Sequence, residues 1–181
     1  MTEYSYELKI PKERLAVLIG TGGKIKRDIE KATGTVIKID SQEGDIFLYG
    51  EDGLGIYTAS EVIKAVGRGF NPEIAKMLLI SDNIAEQIDL SDYAKSKKHM
   101  IRLKGRVIGE NGKARRIIED LTECHISVYG KTVLIIGNAE IVGIARRAVE
   151  TLLSGSPHAN VYNWLEKKRR EIKHKRIMNE L

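Results

Sequence analysis

Between Val17 and Glu30 the chain reads VLIGTGGKIKRDIE, three glycines and a threonine set between an apolar run and a basic, helix-like stretch. A loop of this make-up suits three ends: holding a nucleotide phosphate, gripping a nucleic-acid backbone, or merely turning the chain. A Walker-type phosphate loop needs G-x-x-x-x-G-K followed by Ser or Thr, whose hydroxyl binds magnesium. Here Leu18 stands where the first glycine belongs, and Ile25 follows Lys24. The dinucleotide pattern G-x-G-x-x-G also fails, because its last glycine would fall on Ile25. What remains is I-G-x-x-G-K on a short turn between two helices. Its first and last glycines lack a Cβ, which lets an extended backbone come close. The helix that follows offers free N–H groups and a positive dipole end, with Lys24, Lys26 and Arg27 alongside. This is a device for gripping phosphates, with no provision for a magnesium-bound triphosphate.

The device occurs twice. VLIGTGGKIKRDIEKATGTVIKID (Val17 to Asp40) aligns without a gap on RVIGENGKARRIIEDLTECHISVY (Arg106 to Tyr129). Gly20, Thr21, Gly22 and Gly23 fall on Gly109, Glu110, Asn111 and Gly112, Lys24 on Lys113, and Lys26-Arg27 on Arg115-Arg116. Ala114 holds the would-be hydroxyl position, so the Walker reading fails here too. DIFLYG and KTVLIIG then match, with the second copy two residues shorter, and a helix-like stretch follows each.

Elements must place these loops. EYSYELKI alternates like a strand. KERLAVLIG reads as a short helix entering the loop. GKIKRDIEKAT sets Ile25 and Ile29 four apart on one helical face, and Gly34 suits its left-handed C-cap. TVIKID and DIFLYG read as paired strands, and the next helix closes the unit. In the second copy AEQIDL is the first strand and KSKKHMIRLKGRVIG the first helix. The order is β-α-α-β-β-α twice, an α+β fold. Asn71-Pro72-Glu73 starts a linker helix through about Leu79. The division expected is residues 1–80 for the first domain with its linker helix, 81–155 for the second, and 156–181 for a basic helical tail. In that tail Val161, Trp164 and Leu165 share an apolar side.

Composition narrows the partner. The chain has 181 residues, 42% hydrophobic and 30% charged, as globular proteins do. No apolar run approaches the ~20 residues of a membrane helix, the N-terminus lacks a secretory layout, and one cysteine rules out an intrachain disulfide. The cytoplasm is the expected compartment. Residues 1–70 carry 10 basic and 11 acidic residues, 71–95 carry 2 and 5, 96–155 carry 11 and 6, and 156–181 carry 7 and 3. The positive field lies in the second half and suits a polyanion.

IGTGGKIKRDIEKATGTVIKI and IGENGKARRIIEDLTECHISV resemble the KH domain of type I topology, a single-stranded RNA-binding module whose G-x-x-G loop clamps the backbone of about four nucleotides. With AVGRGFNPEIAKMLL and the basic tail, the chain resembles archaeal relatives of the partner-of-Nob (Pno/Dim) and Krr group of small-subunit assembly factors. The resemblance implies a monomeric, non-enzymatic protein, without metal or cofactor. It would bind near the 3′ end of small-subunit ribosomal RNA during pre-rRNA maturation, with an assembly nuclease or a translation-initiation factor as protein partner. The second copy departs from the pattern: Ala114 replaces Ile after the loop, Glu123-Cys124 replace Thr-Gly at the helix end, and Glu110 puts a negative charge in the loop. Electrostatic affinity scales with phosphates neutralised, so the second domain and tail are expected to supply most of it.

Arg102, Lys104 and Arg106 lie on the helix entering the second loop and are expected to line the RNA groove. Lys167 to Arg170 serve equally as an RNA contact or a solvated helix face. Cys124 and His125 are strand neighbours pointing to opposite faces, which excludes a nucleophile–base pair. Asp40, Glu43, Asp45, Glu51 and Asp52 gather near strand ends. Nuclease metal sites use clustered acids, but turn chemistry accounts for these.

Overall fold

The computed structural model describes residues 4–179. The first repeat forms β1 (Tyr4–Lys9), α1 (Lys12–Ile19), α2 (Lys24–Thr33), β2 (Thr35–Asp40), β3 (Asp45–Gly50) and α3 (Gly53–Gly67). One helical turn, α4 (Pro72–Ala75), tightens into a 3-10 turn through Leu79. The second forms β4 (Asn83–Asp89), α5 (Lys97–Ile108), α6 (Lys113–Thr122), β5 (His125–Tyr129), β6 (Thr132–Asn138) and α7 (Val142–Leu153), and α8 (His158–Asn179) follows. The chain condenses into two compact units, Met1–Ala85 and Glu86–Leu181.

Each unit holds a three-stranded sheet, ordered β1-β3-β2 and β4-β6-β5, so β2 and β5 are edge strands. In the first, β3 runs antiparallel to both neighbours and pairs Leu48 with Tyr6 and with Ile37. The alternation of side chains then turns Ile37, Ile46 and Leu48 inward, where they are buried with Leu15, Leu18 and Ile29 of the two loop helices and Ala59, Val62 and Ile63 of α3. The second unit buries Leu103, Val107, Ile118, Ile126, Ile135, Ala145 and Val149 from the corresponding elements, and Val161 and Leu165 of α8 join that core. Burying a side chain of this size contributes about 1.5–3 kcal/mol, so α8 is an integral part of the second unit.

Asn71 caps α4 through Ile74 N–H at 3.0 Å, and Gly34 ends α2 in the left-handed region, both as expected. The second repeat puts Glu123 at that C-cap with φ +56.

The structure corrects the reading of Arg106. Its guanidinium donates to Leu152 O (3.0 Å) and Ser156 O (2.5 Å), tying α5 to the end of α7. In the first unit Arg14 does the same for α1 and α3, through Val66 O (2.8 Å) and Phe70 O (2.6 Å). The two arginines are not aligned: the gapless register sets Arg106 on Val17 and Arg14 on Leu103, one helical turn away. The last carbonyls of a helix lack intrahelical donors, and a forked cation there satisfies two groups at once.

Candidate nucleic-acid interface

Both G-x-x-G turns have one geometry. Gly20 (φ 72, ψ 174) and Gly109 (φ 73, ψ 175) occupy a region that essentially only glycine reaches. A Cβ at Gly20 would stand 2.4 Å from Ile25 Cγ1, and one at Gly109 2.6 Å from Ala114 Cβ. The room left by the first glycine is therefore filled by the protein itself, not by an approaching strand as the sequence led us to expect. It also explains the pairing of glycine with Ile25 in one copy and Ala114 in the other.

The next two positions are left-handed: Gly22 (φ 59) and Gly23 (φ 77), Asn111 (φ 51) and Gly112 (φ 76). Asparagine is among the few other residues that visit this region routinely, which accounts for Asn111 replacing a glycine. A Cβ at Gly22 would meet nothing within 4 Å, so the tip of the turn faces open space. No side chain caps the start of α2 or α6. Each N-terminus, with its unsatisfied N–H groups and dipole, points into the turn.

Charges divide into free and committed. Thr21, Lys24 and Arg27 are exposed around the first turn, Glu110, Lys113 and Arg116 around the second. Lys24 and Lys113 have no ion-pair partner among the described residues. Arg116 folds back to donate to Gly112 O (3.4 Å) and Asn111 O, bracing the turn. Lys26 and Arg115 are half-buried and serve another purpose. Lys26 Nζ lies 2.9 Å from Glu30 Oε1, which also accepts Ile37 N–H at 2.8 Å. Arg115 sits 3.9 Å from Glu119 Oε1, which accepts Ile126 N–H at 2.7 Å. In each repeat a carboxylate thus staples the loop helix to the adjacent edge strand. Arg115 adds a bond to Ile126 O at 3.3 Å. These two glutamates are site-building residues that sequence reasoning missed.

Arg102 is exposed and Lys104 half-buried on α5. Between them runs a strip also missed: Ile101 (64% exposed), Gly105 and Ile108 (36% exposed), spaced i, i+4, i+7 up to the turn. An exposed apolar strip flanked by cations and ending at a phosphate grip offers a surface to a base face.

The acids of the first unit act locally. Asp40 accepts from Gln42 and Glu43 N–H, Asp45 pairs with Lys9 at 3.1 Å, and Asp52 caps α3. Among the described residues no three His, Cys, Asp or Glu side chains cluster as metal ligands. Burial raises the Cys124 thiol pKa. No helix among the described residues is long and apolar enough to cross a membrane.

Residues 84–170 match the eukaryotic-type KH domain (KH-domain type I), and residues 5–65 match the KH domain. The chain belongs to the KH-domain family. A KH domain-containing protein of Methanocaldococcus jannaschii is 49% identical over 174 residues, covering 94% of this chain and 76% of that protein. RNA-binding protein PNO1 of Oryzias latipes is 32% identical over 114 residues, 62% of this KH protein. The chain spans about half the length of that relative, 47% of it. Among solved structures, a chain of the a/eIF2alpha–aDim2p–rRNA complex from Pyrococcus horikoshii superposes with a TM-score of 0.87 at 43% identity, covering 93% of this KH protein and 96% of that chain. The second KH match runs to residue 170 and so includes the first half of α8.

Proposed function

We propose that this KH protein binds single-stranded RNA at both G-x-x-G turns and serves in the maturation of small-subunit ribosomal RNA in the cytoplasm, by binding alone. The observation that carries the reading is the repeated turn: left-handed, open at its tip, fed by an uncapped helix N-terminus and flanked by the unpaired Lys24 and Lys113. Its similarity to an RNA-binding protein PNO1 and to a structure holding aDim2p with rRNA supports the choice of ribosomal RNA. The turn and helix N-terminus hold phosphates, Lys24, Arg27, Lys113, Arg102 and Lys104 add field, and the α5 strip receives a base. Residues 1–85 carry 11 basic and 13 acidic residues, and residues 86–181 carry 19 and 12. The second domain therefore supplies most of the affinity. Crosslinking the full chain to cellular RNA and sequencing the bound fragments tests this. Enrichment near the 3′ end of small-subunit rRNA is expected, and reads scattered over messenger RNA would sink the ribosomal assignment.

A second reading adds a protein partner on the first domain. Tyr4, Tyr6, Leu54 and Tyr57 are 50%, 42%, 71% and 62% exposed on that nearly neutral unit, and the Pyrococcus complex also contains a/eIF2alpha. The substitution Leu54→Asp in the full chain should abolish capture of that translation factor and leave RNA affinity unchanged. Unchanged capture refutes it.

A further inference from the structure

The far end of α6 carries a second basic feature. Its last residues, Leu121 and Thr122, and the C-cap Glu123 form one wall of a cleft of about 490 Å³ whose other wall is α8. The apolar floor is Ile141 and Ile172; the rim is Arg169, Arg170, Lys173 and Arg176. All four cations are exposed, and none has an ion-pair partner among the described residues. Arg169, Lys173 and Arg176 recur at i, i+4 and i+7, one face of the helix. Glu123 is the single carboxylate in the cleft, and it is also the residue forced into the left-handed region at the C-cap. Beyond Ile172 the charge is more balanced: there Lys168 is neutralised by Glu171 at 2.7 Å, and Glu140 lines the same hollow as Lys175 and Arg176, the last of which borders both hollows. The cationic excess is thus larger on the α6 side, where Arg169, Arg170, Lys173 and Arg176 face the one carboxylate of Glu123, than on the other side, where Lys168, Lys175 and Arg176 stand with Glu140 and Glu171. Four unpaired cations over an apolar floor, in a space of nucleotide size, suit an anionic occupant with a flat apolar part.

We propose that this cleft is an auxiliary RNA site, taking a phosphate and base of the strand that runs on from the second G-x-x-G turn. It rests on the RNA-binding reading above. The turn at the start of α6 and the cleft at its end lie about 15 Å apart at ~1.5 Å per residue, so an RNA longer than the ~4 nucleotides of one turn is needed to reach both.

The test uses the full chain with R169Q/K173Q, both exposed and outside the core. Titrations compare a tetranucleotide with a decanucleotide of small-subunit 3′-end sequence. The variant should weaken decanucleotide binding about tenfold at low salt and lower its salt slope by about 1.4, two contacts at ~0.7 each for single strands. Tetranucleotide affinity should stay within twofold of wild type. Glu123→Gly, which keeps the left-handed backbone and removes the carboxylate, should tighten the decanucleotide severalfold. An unchanged decanucleotide slope in R169Q/K173Q, or no tightening in Glu123→Gly, overturns the proposal while the turns still bind. A poly-glutamate peptide bound by wild type and lost in R169Q/K173Q, with decanucleotide binding intact, would make it an acidic-peptide site and also overturn it. Failure of wild type to bind either RNA refutes the underlying RNA reading instead.

Discussion

The substitution Asn111→Asp isolates the electrostatics of the second turn. It is isosteric, it retains a residue type that tolerates φ 51, and it adds one negative charge at the exposed tip. Two unit charges ~4 Å apart interact by ~1 kcal/mol in water and ~4 kcal/mol at an effective dielectric near 20. Asn111 is solvent-exposed, which places the penalty at the lower end. One contacted phosphate should then cost about 1–2 kcal/mol, a loss of roughly 5- to 30-fold in affinity. Gly22→Asp is the matched change in the first turn, where φ is 59 and a Cβ meets nothing within 4 Å. Fluorescence anisotropy with a labelled 3′-end oligonucleotide measures both, and thermal melting confirms that each variant remains folded. Asn111→Asp should show the larger loss, and both losses should shrink toward 1 M salt, where the Debye length is ~3 Å. A larger loss from Gly22→Asp would overturn the assignment of most affinity to the second domain. No loss from either would refute the phosphate grip itself.

Three further outcomes follow from the geometry. Arg106→Gln should destabilise the protein by about 1.5–3 kcal/mol by removing the charge-assisted bonds to the Leu152 and Ser156 carbonyls, with RNA affinity within twofold, whereas Arg102→Gln with Lys104→Gln should weaken RNA and spare the melting temperature; the reverse pattern would return Arg106 to the groove. Glu119→Ala should cost about 1–3 kcal/mol by leaving Ile126 N–H without its acceptor, and hydrogen exchange at that amide should accelerate; unaltered protection would show that the staple does not hold in solution. Gly20→Ala should destabilise by at least ~2 kcal/mol, combining a glycine-only conformation with a Cβ pressed onto Ile25, while Gly22→Ala should cost only ~1 kcal/mol for its left-handed backbone; equal melting temperatures would contradict the steric account.

Local signals in the sequence were dependable where they were also complete. Asn71 before Pro72 contains both its cap and its first turn, and Gly34 after Thr33 contains its own stop. The paired turns were legible because the same residues recur in one register. Arg106 was not, because its role depends on a carbonyl 46 residues away, and it shares the spacing of a groove-lining cation. Glu30 and Glu119 reach strand amides seven residues on, and a lone glutamate in a charged helix gives no sign of that. On α5 the sequence alternates two apolar sets, Leu103 with Val107 and Ile101 with Ile108. Periodicity detects both, and only the packed structure tells that the first is buried and the second faces solvent.

The glutamate staples also bear on how the protein stays dispersed. β2 and β5 are sheet edges, and an unpaired edge is a template for strands of other copies. At Ile126 the outward N–H is taken by Glu119 and the outward C=O by Arg115, and at Ile37 the N–H is taken by Glu30. An incoming strand would have to displace charged side chains to find partners at the middle of either edge. The bonds that fix each loop helix beside its strand thus also blunt the β2 and β5 edges, so Glu119→Ala should prove more prone to aggregate on heating than its loss of stability alone accounts for.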